Sequence, residues 1–168
     1  MENLFVFLAT SFVLRATAPR FKRYLICPGC SSYLNSSART LHVRQTKGGD
    51  KVFFNEYTED GVTYGTICVQ MQEAYTLEEA ESILVHYLNR VRKPMHIYCN
   101  VSMDIKTDDR QLTITDYWQD SQGIDWKVKG YTNGRVVGVL YVKNISDTTV
   151  GNHDAFLDGF RFSGRGAN

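Results

Sequence analysis

A chain of 168 residues that is 43% hydrophobic, 12% aromatic and 22% charged has the make-up of one ordinary globular domain, not of a disordered or collagen-like chain. A net charge of +1 argues against a dedicated nucleic-acid binder, which carries a basic domain. The charge is uneven: residues 1–49 hold seven bases against one acid, Glu2 (net +6), and residues 50–168 hold twelve bases against seventeen acids (net −5). So sharp a break suggests a front segment that addresses and a following domain that folds.

Leu4 to Leu14, LFVFLATSFVL, is apolar but shorter than the roughly 20 residues a bilayer span needs. Its length suits the core of a secretory signal, and Ala16-Thr17-Ala18 supplies a small-x-small cleavage pattern. Glu2 in place of an early base, and Pro19 just after the cut, are departures from that pattern. The alternatives are an organellar transit peptide, a lipoprotein box around Cys30, or an apolar element of the fold. Residues 1–48 are therefore expected to be a basic leader, residues 49–163 the single domain and residues 164–168 a tail. Membrane association is expected through the front segment only. The chain is expected to be exported, periplasmic or secreted.

Cys27-Pro28-Gly29-Cys30 is a C-x-x-C pair. Such a pair can cycle between dithiol and disulfide when one sulfur is held as thiolate. A thioredoxin-type site places it at a helix N-terminus within a βαβ unit, and Ser31 to Ser37 opens a helix poorly. The pair is also half of a zinc ribbon, but zinc needs a second close pair, and Cys68 and Cys99 lie 31 apart in strand-like segments. Those two read as buried apolar groups, or as one disulfide if their strands are neighbours. Neither a metal nor a cofactor is expected.

Thr40 to Thr46 is a short strand candidate ended by Gly48-Gly49-Asp50. Val52 to Thr58 and Val62 to Gln70 flank Asp60-Gly61, a pair that favours a tight hairpin because both central residues need positive φ. The period then changes. Thr76 and Glu79 form a capping box, Leu77, Ala80, Leu84, Tyr87, Leu88 and Val91 recur on one helical face, and Pro94 stops the helix. Ile97, Cys99, Val101, Met103 and Ile105 alternate with polar residues, predicting a strand with one face on the core and one in water. Further strands are predicted at Gln111 to Trp118, around Ile124 to Val128 and at Val136 to Lys143, the last after Asn133-Gly134, a strong hairpin signal. Asn152 is placed as the cap of a last short helix bearing Phe156 and Phe160.

This order predicts an α+β fold: an antiparallel meander sheet packed with two helices. The stretches EYTEDGVTYG, DYWQD, WKVKGYTNGRVVGVLYV and FLDGFRFS resemble small uncharacterised bacterial proteins with a PsbP-like αβα sandwich. The resemblance covers about two-thirds of the chain through motifs made mostly of packing residues. It implies an exported protein that binds or assists a larger assembly. No functional residue carries over from it.

No nucleotide-binding, hydrolase or zincin motif occurs. Of the histidines, His86 has no ligand one helical turn away, and His153 with Asp154 and Asp158 reads as a polar helix start. Asp104, Asp108, Asp109, Asp116, Asp120 and Asp125 include possible acid–base pairs but sit where hairpin ends are normally acidic. Tyr117, Trp118, Trp126, Tyr131 and Tyr141 are candidates to line an aromatic ligand groove or to fill the core. Sequons at Asn35, Asn100 and Asn144 matter only in a host that glycosylates the chain. The expected function is a non-enzymatic extracytoplasmic module that binds a protein or a small apolar ligand, with no nucleic acid. The alternative is a thiol–disulfide redox protein using Cys27 and Cys30.

Overall fold

The computed structural model describes residues 21–108, 110–145 and 150–163. The apolar run at Leu4 to Leu14, the cleavage pattern at Ala16 to Ala18 and the tail at 164–168 lie outside the described residues.

Ten strands and two helices follow in the order β1 (Phe21–Cys27), β2 (Cys30–Asn35), β3 (His42–Gln45), β4 (Lys51–Glu59), β5 (Val62–Gln70), α1 (Leu77–Arg92), β6 (Ile97–Thr107), β7 (Leu112–Asp120), β8 (Asp125–Thr132), β9 (Val136–Lys143), α2 (Val150–Leu157) and β10 (Arg161–Phe162). One sheet has seven strands in the order β3-β4-β5-β9-β8-β7-β6; the other has three, β1-β2-β10. Every pairing is antiparallel.

The α+β expectation is thereby corrected. Strands dominate, and among the described residues the helices number two, of 16 and 8 residues. The molecule is a sheet-dominated stack rather than a helix–sheet sandwich of the PsbP-like kind. The physical reason lies in what covers the second face of the large sheet. The α1 face carries one apolar cluster, in which Leu84 and Leu88 pack with Ile114, Trp118, Trp126, Val128, Val137 and Val139. The opposite face carries another, in which Ile26, Cys27, Cys30 and Leu34 of the small sheet join Phe156, Leu157 and Phe160 against Tyr64, Cys68, Leu140 and Val142. A second sheet, not a second layer of helices, does most of that covering. Central strand β9 is consequently buried on both sides along Val136 to Val142 and reads as a continuous apolar run.

The boundary at residue 48 is corrected with it. β1 and β2 begin well before it, and Ile26, Cys27, Cys30 and Leu34 are at most 3% exposed. β3 pairs with β4 through His42↔Phe54 and Arg44↔Val52. Residues 21–45 belong to the fold.

Local rules hold where they depend on neighbours in sequence. The Thr76 side chain accepts from the Glu79 amide, and the Glu79 carboxylate accepts from the Thr76 amide, which satisfies two free donors of α1. Asp60 and Gly61 both have positive φ, at 52° and 79°, as the β4–β5 hairpin requires. The β8–β9 hairpin forms too, but on three residues. Only Gly134 takes positive φ there, and Asn133 Oδ1 accepts from the amides of Arg135 and Val136. α2 starts at Val150, two residues ahead of the cap expected at Asn152.

Strand β6 departs from expectation. It is the edge of the large sheet, its register shifts twice against β7, and Tyr98, Val101 and Ile105 stay 83%, 53% and 51% exposed. Its alternation does not mark a buried face because α1 lies over β7, β8 and β9 and stops short of the edge. Among the described residues no helix is long and apolar enough to cross a membrane.

Candidate functional site

α1 lies over β7, β8 and β9 and leaves β3, β4 and the Ile67 part of β5 only partly covered on its own face. The pairing register arranges their side chains in two rows. One runs His42–Phe54–Ile67–Val139, the other Arg44–Val52–Val69–Val137. Each begins on the sheet edge, with His42 or Arg44, and ends on a valine buried in the helix-side core. With strands about 4.8 Å apart, β3 to β5 spans about 10 Å.

The last turns of α1 form the other wall through Tyr87, Arg90 and Val91, and Pro94 and Met95 close the end. The result is a cleft of about 610 Å³, within the range of small-molecule sites. His42, Arg44, Thr46 and Arg90 line it together with mostly apolar side chains, and among the described residues no carboxylate lines it. One wall is fixed from below: the Tyr87 hydroxyl donates to Asp50 Oδ2 at 2.7 Å, and the Gln72 amide donates to Asp50 Oδ1. Burial and the Asp50 carboxylate both push the Tyr87 hydroxyl above its ordinary pKa, so it remains a donor. An apolar floor bordered by Arg44 and Arg90 suits a ligand that has an apolar body and an anionic end.

Sequence reasoning missed this cleft. Val52, Phe54, Ile67 and Val69 carry a period-two signal, but the register that sets His42 and Arg44 beside them is a tertiary fact.

The C-x-x-C pair is a hairpin tip, not the head of a helix. Pro28 and Gly29 make the two-residue turn, with Gly29 at φ 101°, and Cys27 faces Cys30 across it. Cys68, near the end of β5, points at the same place. The three Sγ atoms lie 3.2 Å (Cys27–Cys30), 3.4 Å (Cys27–Cys68) and 3.0 Å (Cys30–Cys68) apart. All three thiols are buried, at 2%, 0% and 0% exposure. The S–H groups of Cys30 and then Cys68 stabilise a thiolate on Cys27 against its burial and hold that thiol well below its usual pKa. Donation to Cys27 and burial push Cys30 and Cys68 up. Cys99 is exposed on β6, four strands from β5, so Cys68 and Cys99 are not neighbours.

The five aromatic candidates do not share a groove. Trp118, Trp126 and Tyr141 are in the helix-side core, Tyr131 is in the core of the opposite face, and Tyr117 is 39% exposed. Trp118 and Trp126 donate their indole N–H to Asp116 and Asp120.

The meander aspartates serve the fold. Asp116 also accepts from Ser102, Asp108 accepts from the amides of Arg110 and Gln111, Asp125 accepts from Gln119, and Asp104 pairs with Lys106. Burial raises the pKa of Asp120, but the Ile124 amide, the Trp126 indole, the Gln122 amide and Lys143 outweigh it and hold the carboxyl below its ordinary value. Asp109 lies outside the described residues. Asp154 and Asp158 of the polar helix start pair with Lys127 and Lys129. The Asn35 sequon is 3% exposed, which closes it to modification in the folded chain.

No protein-family model matches the chain, and no curated protein matches it.

Proposed function

We propose that this protein is a non-enzymatic binding module whose cleft between α1 and β3–β5 holds a small apolar molecule with an anionic end. The observation that carries this reading is the pair of cross-strand rows running from His42 and Arg44 to the buried Val139 and Val137. The apolar body would lie along the rows, where each buried methylene contributes about 0.8 kcal/mol. The anion would meet Arg44 and Arg90, whose guanidinium groups favour carboxylate or phosphate geometry.

Titration with dodecanoate and with dodecanol tests the reading. The acid is expected to bind about tenfold more tightly, since hydrogen bonds to a charged group contribute about 1.5–3 kcal/mol. The double change Arg44→Ala with Arg90→Ala should erase that preference. Ile67→Trp should fill the floor and remove both affinities. Binding that ignores all three changes, or no binding by either compound, refutes the reading.

The thiol–disulfide alternative has less support. An attacking disulfide must reach a thiolate, and all three clustered sulfurs are buried beneath the hairpin. Export remains part of the proposal and rests on the apolar run at Leu4 to Leu14.

A further inference from the structure

Three sulfurs from two sheets meet at one point, and nothing in the cleft reading uses them. Cys27 and Cys30 come from the β1–β2 hairpin and Cys68 from the large sheet. Their ligand atoms lie within 4.8 Å of one another, and this is the one cluster of three or more metal-ligating groups among the described residues. A lone disulfide would use two of the three and leave the third in contact without a role. A central atom would use all three.

We propose that Cys27, Cys30 and Cys68 form a binding site for one soft metal ion, held by three sulfurs alone, with monovalent copper the best-matched class. Thiolate sulfur selects soft ions. Structural zinc takes four ligands, and the described residues bring no fourth His, Cys, Asp or Glu to the trio. Exposures of 0–2% close the site to a ligating water. At metal–sulfur lengths of about 2.3 Å, ligand sulfurs stand about 3.7–4.0 Å apart, so the gaps between the sulfurs widen by somewhat more than about half an ångström on average. The hairpin tip can supply that motion, because it packs against β5 without pairing to it.

Thiols ligate as thiolates, so binding releases protons and affinity should rise with pH.

The test uses the full chain, reduced and kept free of oxygen. Cu(I) is titrated in competition with a chromophoric Cu(I) chelator, and the copper shell is read by X-ray absorption. One Cu(I) per chain with a sulfur-only shell is expected, unaffected by Cys99→Ser. Cys68→Ala should weaken binding by more than about 100-fold, the upper range for losing a mere outer-shell partner. It should also abolish the rise in melting temperature that Cu(I) gives the parent chain. Should Cys68→Ala fail to fold, Cys27→Ala at the hairpin tip serves as the second variant, with the same outcome expected. The proposal fails if no ion binds, if binding survives loss of Cys68 or Cys27, or if nitrogen or oxygen enters the shell. It also fails if the purified chain already holds a disulfide within the trio. None of these results bears on the cleft.

Discussion

The two faces of the seven-stranded sheet are covered by opposite means. One is covered, over β7 to β9, by α1, a single run of 16 residues with its own cap. The other is covered by pieces from both ends of the described chain, the β1–β2 hairpin and the α2–β10 segment. These pieces are joined by the pairs Arg161↔Ser31 and Phe162↔Cys30, by the Ser163 amide donating to the Gly29 carbonyl, and by Arg23 donating to the Gly159 carbonyl. A local element can be held largely by its own hydrogen bonds and one apolar stripe. A composite layer exists only once the sheet has formed, because neither piece buries its apolar side without the other.

Removing residues 1–47 breaks that comparison most severely. The deletion takes away Ile26, Cys27, Cys30 and Leu34 and uncovers Phe156, Leu157 and Phe160. A fully buried large apolar side chain contributes about 1.5–3 kcal/mol, so the sum rivals a whole domain's net stability of about 5–15 kcal/mol. Cooperative urea unfolding should be lost, as read from Trp118 and Trp126 on the far face. An unchanged sigmoid would restore the view that the front is a dispensable leader. Single changes sharpen the same point. Leu34 and Leu84 are 1% and 0% exposed on opposite faces. Leu34→Ala and Leu84→Ala should each destabilise by about 2–5 kcal/mol. A much smaller loss at Leu34 would mean that the composite layer is not tightly packed.

What could be read in the chain follows the same division. The helix with its Thr76–Glu79 box, the Asp60-Gly61 hairpin and most strand runs depend on residues close in sequence, and they appear where expected. The covering of the second face was not legible. Its signals, KRYLI before Cys27 and SSYLN after Cys30, resemble a leader as much as two strands, because the charge break near Asp50 divides a single folded unit. The C-x-x-C pair was visible, but its third partner comes from a strand 38 residues after Cys30. The aromatic residues from Tyr117 to Tyr141 were legible as packing or as a groove, and only the sheet's two-sided burial separates them. The cleft was hidden because it depends on which strands α1 leaves only partly covered.

Alkaline pH probes both cores at once. Burial pushes the Tyr131 hydroxyl up on the composite face; burial and the Glu56 carboxylate do so for Tyr141 on the helix face. A tyrosine whose folded pKa is raised stays protonated while the unfolded chain ionises near pH 10. The unfolded state then binds fewer protons, so stability is full below pH 10 and is lost as pH climbs toward the folded values. At pH 11 the loss should be about 1.4 kcal/mol for each such tyrosine, checked by urea midpoints between pH 8 and 11. Tyr131→Phe and Tyr141→Phe should each remove one share of that slope. Equal shares would show that the two faces are equally well sealed.

The smallest effect separates what fastens α2 to the sheet. Lys127 and Lys129 stand on the composite face of β8 and meet Asp154 and Asp158, one helical turn apart. The aspartates remain 46% and 59% exposed, so solvent screens both pairs. Phe156 and Leu157, at 1% exposure each, face the core between them. Asp154→Asn or Asp158→Asn should therefore destabilise by about 0–1 kcal/mol, and less still in high salt. Phe156→Ala should destabilise by about 3–5 kcal/mol whatever the salt. A salt-sensitive loss from the aspartate changes that matches the Phe156 loss would mean that charge, not apolar burial, holds the composite layer in place.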